Sequence, residues 1–171
     1  MKICFLCNMS SIEIRPIVPA DNETLATIIR TTLKEYGANH PGTVYYDEST
    51  DHLSDLFMTP SSSYHVAELE GKVVGGAGIF PTEGLPSDTC ELVKMYLRKS
   101  ARGKGLGKML MSNCLQTAVG KGFKNVYLET MPELTDAIPM YNKFGFELLN
   151  APLGNTGHHG CGIWMLKKLE V

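Results

Sequence analysis

Residues 98–110 read RKSARGKGLGKML. Gly103, Gly105 and Gly107 alternate with larger residues, Arg98, Lys99, Arg102, Lys104 and Lys108 crowd around them, and an apolar run follows. Glycine weakens local structure, so three of them among dense positive charge call for a compensating ligand. A strand-like stretch, TCELVKMYL at 89–97, runs into the glycines, and a helical pattern leaves them. Such a junction offers backbone N–H groups that have no partner inside the helix. The helix dipole adds partial positive charge there, so an anion fits. Without side chains in the way, the backbone can close on a phosphate. The chemistry indicated is the binding of a diphosphate.

Spacing discriminates among diphosphate ligands. A nucleoside-triphosphate P-loop would need glycine at 102 and Ser or Thr at 109, where the chain has Arg102 and Met109. A dinucleotide fingerprint beginning at Gly103 would need glycine at 108, which is Lys108. What remains is Arg-x-x-Gly-x-Gly, as Arg102, Gly105 and Gly107. The segment AIPMYNKFGFE follows at 137–147. On these two stretches the chain resembles the GCN5-related N-acetyltransferases. The first is similar to that family's coenzyme A pyrophosphate loop, and the second to its Ala-x-x-x-Tyr-x-Lys-x-Gly-Phe signature. They come in the family's order with a strand between them, and the resemblance covers nearly the whole chain. Two positions depart from it. Lys99 stands where the family often has Pro, which bears on loop stiffness. Leu134 stands where it often has Asn, so a side-chain contact from that position to a pantetheine arm is absent or supplied elsewhere.

The resemblance implies a single α+β domain with a central, mostly antiparallel twisted sheet of about seven strands and about four flanking helices. It implies acetyl-coenzyme A as co-substrate and transfer of the acetyl group to a primary amine of a small molecule or peptide, by direct attack in a ternary complex. The diphosphate would lie on Arg102, Gly103, Lys104, Gly105, Leu106, Gly107 and Lys108. The backbone of Met95 and Leu97, where the family's fourth strand splays from the fifth, would hold the thioester and pantetheine amides. Tyr141 occupies the family's tyrosine position and is implied as the acid that protonates the departing thiolate; a packing tyrosine is the other reading. Glu91 lies where the family commonly keeps a glutamate near the acceptor. A lysine-like amine, of pKa about 10.4, must lose a proton before it attacks. Period-two alternation places Glu91, Val93, Met95 and Leu97 on one face and Leu92, Lys94 and Tyr96 on the other. Among apolar neighbours Glu91 would have a raised pKa and serve as the base; an ion pair with Lys94 or Arg98 is the bland alternative. Glu129 and water are the competing bases. A non-catalytic acyl-coenzyme A sensor is the other functional class, and no motif identifies the acceptor.

The elements that must position these residues follow from pattern and punctuation. IEIRPIV (12–18) reads as a first strand, and Asp21 as the N-cap of a helix carrying Leu25, Ile28, Ile29 and Leu33. DESTDHLSDLFM gives short helical turns, and SYHVAELEGKVVGGAGIF a hairpin turning at Gly71. Gly75, Gly76 and Gly78 in its second arm predict a bulge or close backbone approach. The helix after the glycine loop buries Leu106, Met109, Leu110, Cys114 and Ala118. KNVYLET is a strand, ELTDAIPMYNKFG a helix kinked at Pro139 or starting near it, and FELLN and CGIWMLKKL the last strands, with Trp164 in the core.

At 171 residues the chain suits one domain, read as 12–171 after an extension 1–11 in which Met9 is an alternative start. A net charge of -2 argues against nucleic-acid and membrane-surface partners. No apolar run suits a membrane span or signal core. Five scattered cysteines suggest a reducing cytoplasm rather than a disulfide framework. Cys4 and Cys7 with His158, His159 and Cys161 could ligate zinc, but no second Cys-x-x-Cys exists and the reading is no metal. GNTGHHGCG is read as a loop lining the acceptor pocket, with exposed histidines. A homodimer stays open.

Overall fold

In the computed structural model, which describes residues 11–170, a two-residue turn fixes the first hairpin. Strand β2 (Ser63–Leu69) passes into β3 (Lys72–Phe80) through Glu70 and Gly71, with φ of 54° and 73°. Two positive φ values make the turn whose twist matches the flanking strands. Strands β1 (Ile12–Pro16), β4 (Thr89–Leu97), β5 (Asn125–Thr130), β6 (Glu147–Leu148) and β7 (Ile163–Lys168) complete one sheet, ordered β1-β2-β3-β4-β5-β7-β6. Every pairing is antiparallel except β4 with β5. Helices α1 (Asn22–Glu35) and α2 (Leu53–Leu56) pack on one face. Helices α3 (Leu106–Gly120) and α4 (Ala137–Lys143) pack on the other. The expected α+β architecture of seven strands and four helices is present.

Helical spacing identified the buried stripe of α1, where Leu25, Ile28, Ile29 and Leu33 are all in the core. Asp21 does not cap that helix with its side chain. Its carboxylate instead takes both Arg15 guanidinium nitrogens, at 2.7 and 2.8 Å, and the Val18 N–H. In α3 the buried positions are Leu106, Leu110, Met111, Cys114 and Ala118, while Met109 is exposed. Helix α4 begins at Ala137, so Pro139 lies in its first turn, where no internal hydrogen bond is lost. Trp164 is only partly buried and belongs to neither apolar cluster. The extension, with Met9, Cys4 and Cys7, lies outside the described residues apart from Ser11. No helix among the described residues is long and apolar enough to cross a membrane.

Two irregularities build the site. Gly76 and Gly78 let aromatic rings lie flat on β3: a Cβ on Gly76 would stand 2.4 Å from the Tyr64 ring, and one on Gly78 2.7 Å from that of Phe57. Opposite them, β4 bulges. Gly76 pairs with Tyr96 and Gly78 with Val93, so Lys94 and Met95 together face the single Ala77. Lys94 takes a φ of 50°, and the Tyr64 hydroxyl donates to its carbonyl at 2.9 Å. The extra residue shifts the phase of the strand. Met95 and Leu97 pack with the cluster of Cys90 and Leu92, whereas Val93 and Tyr96 pack on the α1 side. Strict alternation, which put Met95 and Leu97 on the face of Glu91, therefore fails at Lys94. The second irregularity is a parting of strands. The parallel ladder joins only Thr89–Glu91 to Asn125–Tyr127. Beyond it β4 and β5 run on without pairing each other, and a wedge opens between them.

Candidate active site

The wedge widens into a cleft of about 990 Å³. Glu91, Met95, Leu97, Arg102, Gly103, Gly105, Gly107, Lys108 and Tyr141 line it. Of the residues expected at the site, only Lys104, which is exposed, and Leu106, whose side chain is in the core, are not on its wall.

At one end, a single 3-10 turn (Lys99–Ala101) leads from β4 to the glycines. Gly103 and Gly105 have φ of 74° and 87°, and nothing lies within 4 Å of a Cβ built on either. Glycine is needed here for the left-handed backbone, not for packing, and the space above it is open. Helix α3 starts at once, its Met109 N–H returning to the Gly105 carbonyl at 3.1 Å. The N–H groups of Leu106, Gly107 and Lys108 precede that bond and have no helical acceptor. Arg102 is turned away from this mouth. Its guanidinium donates to Glu35 at 2.7 Å, to the Leu97 carbonyl at 3.0 Å and to Thr32 at 3.3 Å, and it stacks over Tyr36. It fastens the loop to α1 and β4, and it occupies the Leu97 carbonyl. Lys104 and Lys108 are the exposed cations of the loop.

At the other end, carboxyl oxygens of Glu91 and Glu129 and a ring nitrogen of His158 lie within 4.8 Å of one another. Glu91 is 4% exposed, and the Thr82 hydroxyl donates to it. Burial pushes its pKa up to about 7, against the Thr82 hydrogen bond and with help from the neighbouring Glu129 charge. The alternative, an ion pair with Lys94 or Arg98, does not form. Lys94 donates to Asp47 at 3.0 Å and Thr50 at 3.3 Å, while Arg98 points to the Val73 carbonyl. Glu129 accepts from Tyr127 at 2.7 Å and Thr156 at 2.9 Å. His158 is half-buried rather than exposed, because its Nε2 meets Asp47 at 3.0 Å; His159 is exposed as expected. Its hydrogen bond to Asp47 raises the His158 pKa. Burial opposes ionisation of Asp47, yet the His158 hydrogen bond and the Lys94 charge draw its pKa down to about 2. Both Glu129 oxygens are engaged and Nε2 of His158 is on Asp47, so the trio is tied to the protein by hydrogen bonds.

Between the two ends stands Tyr141, 7% exposed, its ring 5.9 Å from that of Phe146. Its hydroxyl makes no hydrogen bond to another described residue, and burial pushes its pKa up to about 12. It therefore keeps its proton at neutral pH. Sequence reasoning missed Asp47, Thr82 and Thr156, short polar residues in loops without a motif. One signal was available: a lysine in the apolar strand 89–97 needs an anionic partner, and Lys94 has one in Asp47.

Residues 26–146 match the family model described as the acetyltransferase (GNAT) family. The chain is 42% identical over 156 residues to the uncharacterized N-acetyltransferase YjgM of Escherichia coli (strain K12), covering 91% of this chain and 93% of that one. The structure of an acetyltransferase of the GNAT family from Staphylococcus aureus Mu50 superposes with a TM-score of 0.79 at 18% identity, over 94% of this chain and 100% of the other. That of the PaiA N-acetyltransferase from Thermoplasma acidophilum, in complex with coenzyme A, superposes with a TM-score of 0.72 at 20% identity, over 92% and 99%.

Proposed function

This chain belongs to the GNAT acetyltransferase family, and from that premise we propose that it moves an acetyl group from acetyl-coenzyme A to a primary amine of a small molecule or peptide, by direct attack in a ternary complex. The observation that carries the reading is the polarity of one continuous cleft. It has unpartnered amides and lysines at one end, carboxyls at the other with Glu91 buried among them, and a protonated tyrosine between.

The open, positive-φ backbone at Gly103 and Gly105 fits a diphosphate, and the unpaired edges of the wedge fit an extended amide-bearing arm. Acetyl-coenzyme A, when bound, supplies an activated acyl thioester. The amides of Leu106, Gly107 and Lys108, with the Lys104 and Lys108 side chains, hold the diphosphate. Arg102 acts at one remove, by holding the loop. The Met95 backbone offers itself to the arm more freely than Leu97, whose carbonyl already accepts from Arg102. Glu91, half ionised near pH 7, takes the proton of the acceptor's ammonium. The Tyr141 hydroxyl gives its proton to the sulfur that departs. Glu129, with Glu91 when ionised, supplies the negative charge of the acceptor end, which suits a cationic amine, while Asp47 is matched by Lys94 and His158. We also place the chain in the cytoplasm, since Cys90, Cys114 and Cys161 are free thiols.

Steady-state release of the coenzyme thiol, measured across polyamines, amino acids, aminoglycosides and peptide N-termini, tests the proposal. At least one amine is expected to drive release well above the hydrolytic background. Tight binding of acetyl-coenzyme A with no amine-dependent release from any acceptor would replace catalysis with sensing.

A further inference from the structure

Thr130 ends β5, and its Oγ1 is the one fully buried side-chain polar atom among the described residues that has no hydrogen-bond partner. The residue is 2% exposed. Other buried polar side chains around the cleft, the Tyr141 hydroxyl excepted, are satisfied: Glu91 by Thr82, Lys94 by Asp47 and Thr50, Tyr64 by a carbonyl. An orphan hydroxyl in such a structure is an exception that points to a missing partner. Its surroundings say what kind. Alternation along β5 puts Thr130 on the side of Val126 and Leu128, which pack in the cluster of Tyr141, and opposite to Glu129. Because β4 has parted from β5, Thr130 still lines the cleft there. The wall on that side is otherwise apolar, with Met95, Leu97, Ala137 and Met140. One neutral hydroxyl on an apolar wall suits neither a phosphate nor an ammonium. It suits an amide.

We propose that Thr130 is a binding residue for the acyl donor, its hydroxyl hydrogen-bonding an amide group of the pantetheine arm. The inference rests on acetyl-coenzyme A being the ligand of this cleft: the stretch of ligand that must pass between the diphosphate loop and Glu91 is the amide-bearing one. The hydroxyl is unpaired in the free protein and paired in the complex. Removing it therefore weakens binding without weakening the fold.

Calorimetric titration of Thr130→Val and Thr130→Ser, alongside their thermal unfolding, tests this. Valine keeps the shape and removes the oxygen; serine keeps the oxygen. Thr130→Val is expected to melt at or above the wild-type temperature and to bind acetyl-coenzyme A roughly three- to tenfold more weakly, the range of one net hydrogen bond. Thr130→Ser is expected to bind within about twofold of wild type. Adenosine 3′,5′-bisphosphate, which has no arm, is expected to bind all three alike. Wild-type affinity in Thr130→Val overturns the proposal, as does an equal loss in Thr130→Ser, which would assign the effect to packing at this position rather than to the hydroxyl. A lowered melting temperature in Thr130→Val also overturns it, since the hydroxyl would then have a partner within the fold. If the wild-type protein itself fails to bind acetyl-coenzyme A, the proposed function falls instead.

Discussion

Glu91 and Asp47 face the same cleft, yet their surroundings drive them in opposite directions. Glu91 has one hydroxyl donor and no cation bonded to it, so burial, helped by the Glu129 charge, raises it to about 7; Asp47 has two cations bonded to it, and falls to about 2. The raised pKa is also a statement about stability. Between about pH 4.5 and 7 the folded chain holds a proton on Glu91 that the unfolded chain has released, so folding stability falls as pH rises through that window. Glu91→Gln removes this penalty. We expect the variant to gain on the order of 3 kcal/mol over wild type at pH 8 and nothing below pH 4, measured by denaturant unfolding. Its turnover should drop and lose the rising limb of the pH profile, with acetyl-coenzyme A affinity unchanged; an unaltered profile moves the base to Glu129 or water. Tyr141→Phe separates the two readings of that residue. With no hydrogen bond to another described residue to lose, the variant should melt close to wild type, while the single-turnover rate falls roughly 10²–10⁴-fold. A wild-type rate would leave the sulfur to solvent. Both residues were legible in the sequence from their place beside recognisable stretches. The polar surroundings of Glu91 were not, because Thr82, which donates to it, and Thr156, which donates to the neighbouring Glu129, carry no pattern.

At the scale of elements, periodicity identified α1, α3, the β2–β3 hairpin and the strand leading into the glycine loop. What it missed was a change of phase. Nothing in TCELVKMYL marks Lys94 as an extra residue, since a bulge is a property of the pair of strands and not of one. The glycines of β3 were the only hint, and they act by admitting the Tyr64 ring whose hydroxyl holds the bulge. Without the bulge, Met95 and Leu97 would stay on the face of Glu91 and the apolar wall beside Tyr141 would lose both. Tyr64→Phe tests this link. It keeps the ring over Gly76 and leaves the buried Lys94 carbonyl without its donor, which costs about 1–3 kcal/mol. We expect that loss in chemical unfolding, together with weaker acetyl-coenzyme A binding, because the displaced backbone is next to Met95. Lost stability with unchanged affinity would show that the bulge holds the fold and not the ligand.

Over the whole molecule, the acceptor end is assembled from loops that lie far apart in sequence, and this is why it was the least legible part. Asp47 gathers Lys94 and His158, the latter 111 residues away, and so ties the loop before β7 to the segment after α1. The Gly160 N–H adds a bond to the Gly42 carbonyl at 3.0 Å. The two partners of Asp47 are not equivalent. Lys94 is 8% exposed and cannot be left alone, whereas His158 can release its proton to solvent. The folded pKa of His158 is raised, so its contribution is full below about pH 6.5, the unfolded value, and is lost as pH rises through the folded one. Asp47, lowered to about 2, contributes above about 3.8 and loses that only as pH falls toward 2. The tie is thus whole between about pH 4 and 6.5 and loosens in alkali. Hydrogen exchange over 150–162, corrected for its intrinsic pH dependence, should show protection at pH 6 that declines as the pH is raised above 6.5 through the folded His158 pKa, while the β2–β3 hairpin keeps its own. His158→Asn should remove the pH dependence and leave global unfolding within about 1 kcal/mol of wild type. Asp47→Asn should do far more, since it strands a buried lysine: a global loss of about 3–5 kcal/mol, felt in every strand. Equal local effects of the two variants would mean that Lys94 finds another partner, and that the loops are held by backbone contacts such as Gly160–Gly42 alone.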